Sequence, residues 1–125
     1  MKVAELMQTR LRTISTDATI ADAIVELAEA QVSALPVIDR FGRAVGVLST
    51  RDVLKAESER LAEGTPVLEI MAPWPTTVDP DLDVRQAARE MLYLNVQRLF
   101  VEYDGALVGV ISQTDVVGAV ATAKV

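Results

Sequence analysis

Neither cysteine nor histidine occurs in the 125 residues. Without thiols there is no disulfide framework and no thiolate chemistry. Without imidazole there is no Ser-His-Asp triad, no Cys-His pair and no histidine-based zinc site. Basic residues are the minority, 12 Lys and Arg against 18 Asp and Glu, for a formal charge of -6. That balance disfavours nonspecific nucleic-acid binding, which needs a basic face. No apolar run reaches the roughly 18 residues of a membrane span. The start, Met1 to Glu5, carries an acid and no apolar stretch, unlike a signal peptide. Missing cysteines fit a reducing compartment, and a cytoplasmic location is the expectation.

What is present is half apolar, enough for a core in one small domain without staples. The chain also repeats itself. At a spacing of 64 residues, Val3, Glu5 and Met7 fall on Val67, Glu69 and Met71. Thr13, Asp17, Ala23 and Glu26 fall on Thr77, Asp81, Ala87 and Glu90, and Val32, Leu35 and Val37 on Val96, Leu99 and Val101. After Asp39 the first copy has one extra residue. At a spacing of 63, Gly42, Gly46, Ser49 and Asp52 then meet Gly105, Gly109, Ser112 and Asp115. A single loop insertion in an otherwise unbroken register marks a duplication.

Each copy has the same pattern. A short extended segment lies at Thr13-Ile14 and at Thr77-Val78. A helix follows, because Ile20, Ala23, Ile24, Leu27 and Ala28 recur on one helical face, as do Val84, Ala87, Ala88, Met91 and Leu92. Thr19 and Asp83 are its N-caps, with Asp22 and Gln86 three residues on. Next comes a hairpin: Ala34–Ile38 and Ala44–Leu48 in copy 1, Arg98–Glu102 and Leu107–Ile111 in copy 2. Its turns run through Gly42 and Gly105. A second helix spans about Thr50–Leu61, or Gln113–Ala123. The stretch Glu63 to Pro66 joins the copies. The order β-α-β-β-α, twice, predicts an α+β fold of two tandem motifs with their sheets packed against each other about a pseudo-twofold axis. A lone unit of this size is marginal, which accounts for the pair.

The most informative stretch is Gly46 to Asp52 and its partner Gly109 to Asp115. Both read Gly-x-x-Ser-x-x-Asp at a strand-to-helix junction. One reading is structural: Ser49 and Ser112 cap the helices, and Asp52 and Asp115 close capping boxes at the positive helix ends. The other is functional. Helix-start N–H groups and hydroxyls suit a phosphate, and an ionised carboxylate one turn in accepts hydrogen bonds from two ribose hydroxyls. A cap can also line a cleft, so the two readings coexist.

These pieces, in this order and repeated, resemble a pair of CBS domains, a Bateman module, over nearly the whole chain. The resemblance divides the chain into motif 1 at residues 1–63 and motif 2 at 64–125. It implies a regulatory module without catalysis, sensing AMP, ADP, ATP, NAD or S-adenosylmethionine in clefts between the motifs, with no required cofactor and no metal. By position, Asp52 and Asp115 are implied to bind ribose. Ser49 and Ser112, with Arg51 and Thr114, approach phosphates. Thr13, Ile14, Thr77 and Val78 face adenine. Val32, Val96, Val47 and Val110 close an apolar pocket. Arg98 is a second phosphate cation, with Ala34 as its counterpart. The resemblance also implies a homodimer and a regulated partner protein, with no nucleic acid and no membrane. The rival reading is a dimerising scaffold with vestigial clefts, using the apolar last helix, Val116 to Ala121. An enzyme ranks third, because no nucleophile-base pair is visible.

Three further features have more than one reading. Trp74, between Pro73 and Pro75, either stacks on a base or packs on the core or an interface. Asp79 to Asp83 has calcium-like spacing, but it lacks the full loop pattern. Glu57, Glu59 and Glu63, with Lys55 and Arg60, form a solvated helix face.

Overall fold

A computed structural model describes residues 1–73 and 76–122. The apolar strand segments and helical periodicity become elements in the expected order. β1 is Ile14–Ser15, α1 Ile20–Ala30, β2 Ala34–Ile38, β3 Ala44–Ser49, α2 Thr50–Ser58 and β4 Ala72–Pro73. β5 is Thr77–Val78, α3 Val84–Leu94, β6 Arg98–Tyr103, β7 Ala106–Ser112 and α4 Gln113–Ala121. One sheet has the order β1-β2-β3-β4 and the other β5-β6-β7. In each, the short first strand pairs parallel to the next, and the hairpin pairs antiparallel. Among the described residues, no helix is long and apolar enough to cross a membrane.

The ends of the helices have local causes. Thr19 accepts from the Asp22 N–H while Asp22 accepts from the Thr19 N–H, a closed capping box. Asp83 caps α3 through the Arg85 N–H instead, so the expected pairing with Gln86 does not form. α2 stops at Ser58 rather than Leu61, because Arg60 takes a left-handed φ of 57° that ends helical bonding. The last helix ends at Ala121, and Ala123 lies outside the described residues. So do Trp74 and Pro75, and with them the question of base stacking or packing.

In space the chain divides into two compact units, Met1–Leu11 with Thr76–Val125, and Arg12–Pro75. The sequence repeat and the spatial unit are out of phase by one leading segment. Val3 is fully buried among Ala87, Met91, Leu99, Val101 and Ile111 of copy 2. Val67 is fully buried among Ala23, Leu35, Val37 and Leu48 of copy 1. Lys2 bridges to Asp83 and Pro66 to Thr19, at equivalent repeat positions. Each leading segment thus completes the core of the other copy's sheet. The boundary at Glu63 and Gly64 separates the motifs in sequence but does not separate the units in space.

Candidate functional site

Both strand-to-helix junctions fold as closed capping boxes. In the Arg12–Pro75 unit, the Ser49 N–H donates to Asp52 Oδ2 at 2.9 Å, and the Asp52 N–H donates to Ser49 Oγ at 3.1 Å. In the other unit, Ser112 and Asp115 repeat these bonds at 2.9 and 3.1 Å. β3 and β7 deliver the serines, and the first turns of α2 and α4 deliver the aspartates. Both aspartates are half-buried and line cavities. The structural reading of the motif is therefore realised, and each carboxylate keeps acceptor capacity beyond its cap.

The cavities differ. That of Asp52 has a volume of about 150 Å³ and includes Lys55, Glu59 and Glu69. That of Asp115 has about 320 Å³ and includes Leu6, Thr114, Gly118 and Thr122. Gln8 Nε2 donates to Asp115 Oδ1 at 3.3 Å. Spacing alone did not point to Gln8, because its partner lies in the other copy.

The remaining sequence candidates fall in several places. Arg98 stands opposite Ser112 in the β6–β7 register, and Ala34 opposite Ser49 in β2–β3. Arg51 and Thr114 are exposed in the first turns of α2 and α4. Ile14 is a core residue, and Val32, Val78 and Val96 pack against the cores, so their side chains serve the packing. Val47 pairs with Ala72, and Val110 with Gln8, at the sheet margins. Thr13 is half-buried just before β1.

Thr77 Oγ1 donates to Glu102 Oε2 at 3.3 Å. Thr77 and Val78 line a different groove, of about 450 Å³, with Leu82, Gln86, Arg89 and Glu90. The repeat-equivalent position in copy 1 is spanned by Arg12 and Glu26, an ion pair at 3.2 Å. Within its unit, then, the structure does not gather Thr77 and Val78 into the cavity of Asp115.

Other acidic residues have structural partners. Asp79 Oδ1 accepts from the Asp81 N–H, and Asp81 pairs with Lys2. Among the described residues, no group of three or more Asp and Glu side chains is placed to hold a metal ion. Asp39 at the β2–β3 turn accepts from the Arg43 and Phe41 N–H groups and from Arg43 Nε. The backbone bond from Arg43 does most to hold its carboxyl below the ordinary aspartate value.

Comparison with known proteins bears on the same stretches. The family model described as CBS domain matches twice, over residues 3–59 and 67–122. An uncharacterised 17.7 kDa protein of Acidianus ambivalens is 32% identical over 119 residues, covering 94% of this chain and 72% of its own. The crystal structure of CBSX2 in complex with AMP is 32% identical, with a TM-score of 0.86, and covers 99% of this chain and 98% of that one. The CBS domain pair of MJ0100, solved with 5′-methylthioadenosine and S-adenosyl-L-methionine, shares the fold at a TM-score of 0.83 and 23% identity, over 99% of this chain and 98% of that one.

Proposed function

The chain is a member of the CBS domain family, and on that premise we propose that it is a regulatory module binding an adenosine-containing ligand of the class AMP, ADP, ATP or NAD, without turning it over. One observation carries the reading. At both junctions a serine and an aspartate lock each other at a helix start, with the carboxylate lining a cavity. A carboxylate held by its own cap presents acceptors to a ribose diol in a fixed direction. The neighbouring hydroxyl and helix N–H groups, with Arg51 or Arg98, suit phosphate. The match to a protein solved with AMP, over nearly the full length of both chains, supports the same ligand class.

Binding becomes regulation only when a second site reads it. We assign the reader to a second copy of the chain, a partner protein, or both. Support for a second copy comes from a groove that occurs twice. Between α1 and α2 it is lined by Ile24, Leu27, Ala28, Thr50, Val53 and Leu54. Between α3 and α4 the repeat-equivalent Ala88, Met91, Leu92, Gln113, Val116 and Val117 line it. Leu54, Leu92 and Val117 are 69, 76 and 65% exposed on these faces, which suits an apolar partner surface.

The test of ligand binding is a thermal-shift and calorimetric panel of AMP, ADP, ATP, NAD, S-adenosylmethionine and adenosine on the whole chain. Ligand at about 100 times its dissociation constant stabilises by about 2.7 kcal/mol. A panel without any shift or heat refutes the reading and leaves the caps as purely structural.

A further inference from the structure

The two junctions share their caps and differ in nearly everything around them. Gln8 lies 107 residues before Asp115 in sequence. Its backbone exchanges hydrogen bonds with Val110, at 2.8 and 3.0 Å, which seats it on the margin of β7 just ahead of Ser112. From there its side chain reaches Asp115 Oδ1 at 3.3 Å. An ionised carboxylate only accepts, so the amide nitrogen must be the atom that faces it. Asp115 is then held on both oxygens, Oδ2 by the Ser112 N–H and Oδ1 by Gln8.

In the other unit the repeat puts Ala72 at the position of Gln8, paired with Val47. Alanine has no donor to offer. Among the described residues, Asp52 is held through Oδ2 alone. Its cavity of about 150 Å³ already contains a lysine and two further carboxylates, Lys55, Glu59 and Glu69. At the positions matching Lys55 and Glu59 stand Gly118 and, just past α4, Thr122, and among the described residues Asp115 is the one charged residue lining that cavity of about 320 Å³. Small-molecule sites span roughly 300–1,000 Å³, so one of the two cavities falls within that range. Across the strands, Ser112 faces Arg98, whereas Ser49 faces Ala34.

We propose, resting on the ligand-binding reading above, that the two units are unequal. One adenosine-type ligand binds per chain, in the unit built on Asp115, and Gln8 is the positioning residue for that carboxylate. A carboxylate already oriented on both oxygens has less freedom to lose when the ribose diol arrives. Both oxygens keep lone pairs for the two hydroxyls, and the Gln8 amide oxygen adds an acceptor beside them. Around Asp52, the carboxylates of Glu59 and Glu69 outnumber the one cation of the cavity, Lys55, and disfavour a phosphorylated ligand. Gln8 thereby also favours a ribose over a deoxyribose.

The experiment is calorimetry of the full chain with AMP and with 2′-deoxyAMP, on the wild type and on Asp115→Asn, Asp52→Asn and Gln8→Ala. Asparagine retains an oxygen for the serine N–H, so the caps persist, and circular dichroism checks the fold. The expected result is one AMP per chain, with Asp115→Asn weakening it about tenfold to a hundredfold. That loss should exceed the loss in Asp52→Asn by about tenfold. Gln8→Ala should weaken AMP more than 2′-deoxyAMP and so narrow the preference between them. A merely structural role for Gln8 would lower both alike, and that outcome overturns the positioning role. Two equal sites, or a loss in Asp52→Asn as large as that in Asp115→Asn, overturns the inequality while leaving the ligand-binding reading standing. No heat from AMP, ATP, NAD or S-adenosylmethionine on the wild type overturns the reading and this inference together.

Discussion

The sulfur of Met7 occupies the space where a side chain on Gly109 would begin. A Cβ at Gly109 would stand 2.5 Å from Met7 Sδ, and one at Gly46 would stand 2.5 Å from Met71 Sδ. The methionine that ends each leading segment thus lies directly over a glycine of the other copy's hairpin. The two sites differ in what else is close. At Gly46 the Ala72 backbone oxygen is 2.7 Å away, whereas the equivalent Gln8 backbone oxygen at Gly109 is looser, at 3.1 Å, with Met7 Cγ at 3.0 Å. A methionine can swing away, but a strand carbonyl cannot. Gly46→Ala should therefore destabilise by about 1–3 kcal/mol, the usual range for overpacking, and Gly109→Ala by less. Denaturant melts of Gly109→Ala with and without Met7→Ala test the contact. A double variant whose loss equals the sum of the single losses shows no coupling and rejects it.

The exchange of leading segments makes a second prediction. Val3 is fully buried in the core of α3, β6 and β7, although it belongs to copy 1 in sequence. Val3→Ala should cost about 2 kcal/mol, from lost carbon groups worth about 0.8 kcal/mol each plus the cavity they leave. Hydrogen exchange locates the damage. Protection should fall in residues 84–112 rather than in 20–49, and the opposite pattern would reject the exchange.

Asp39 gives a pH dependence with a definite sign. Its carboxyl is held below the ordinary aspartate value of 3.8, chiefly by the Arg43 N–H. A depressed carboxylate contributes stability that is present above its unfolded value and is lost as pH falls through its folded value. The wild type should thus be more stable than Asp39→Asn near pH 6. The difference should shrink as the pH is taken below 3.8, and urea melts of both proteins measure it. A gap that stays constant across that range would show that the turn gains nothing from the charge.

Phosphorylated ligands should bind better than adenosine, because Arg51 at α2 and Arg98 opposite Ser112 supply local cations on a chain of net charge -6. Titrations with adenosine, AMP and ATP on wild type, Arg51→Ala and Arg98→Ala, at low and moderate salt, measure the gap. Under the unequal-unit proposal, Arg98→Ala narrows the AMP-over-adenosine preference more than Arg51→Ala does. Equal binding of adenosine and AMP to the wild type would remove the phosphate clamp and keep the nucleoside site.

The repeated apolar grooves predict self-association. Leu92 and Val117 stand exposed on α3 and α4, and Leu54 on α2. Light scattering of the wild type should give twice the chain mass of 13.5 kDa at micromolar concentration. Leu92→Glu or Val117→Glu should shift it towards that mass without lowering helix content. A monomeric wild type at high micromolar concentration would leave these faces without a second copy.

The sequence by itself determined whatever depends on neighbours a few residues apart. The helices of both copies follow from apolar residues on one face. Ser49 with Asp52 and Ser112 with Asp115 were recognisable as capping boxes because the bonds join residues three apart. The hairpins followed from paired apolar strand segments on either side of turns through Gly42 and Gly105, both at positive φ. The duplication followed from register alone.

Tertiary structure alone decided which copy each leading segment completes. β4 is two residues long, and Gln8 forms a single bridge, too short for any period to announce a partner. Their placement depends on whether Val3 and Val67 bury against their own copy or the other. The repeat offers nearly identical apolar surfaces for both choices, and only the path of the folded chain distinguishes them. For the same reason, the contact of Gln8 with Asp115, and with it the difference between the two carboxylates, exists only once residues 107 positions apart are brought side by side.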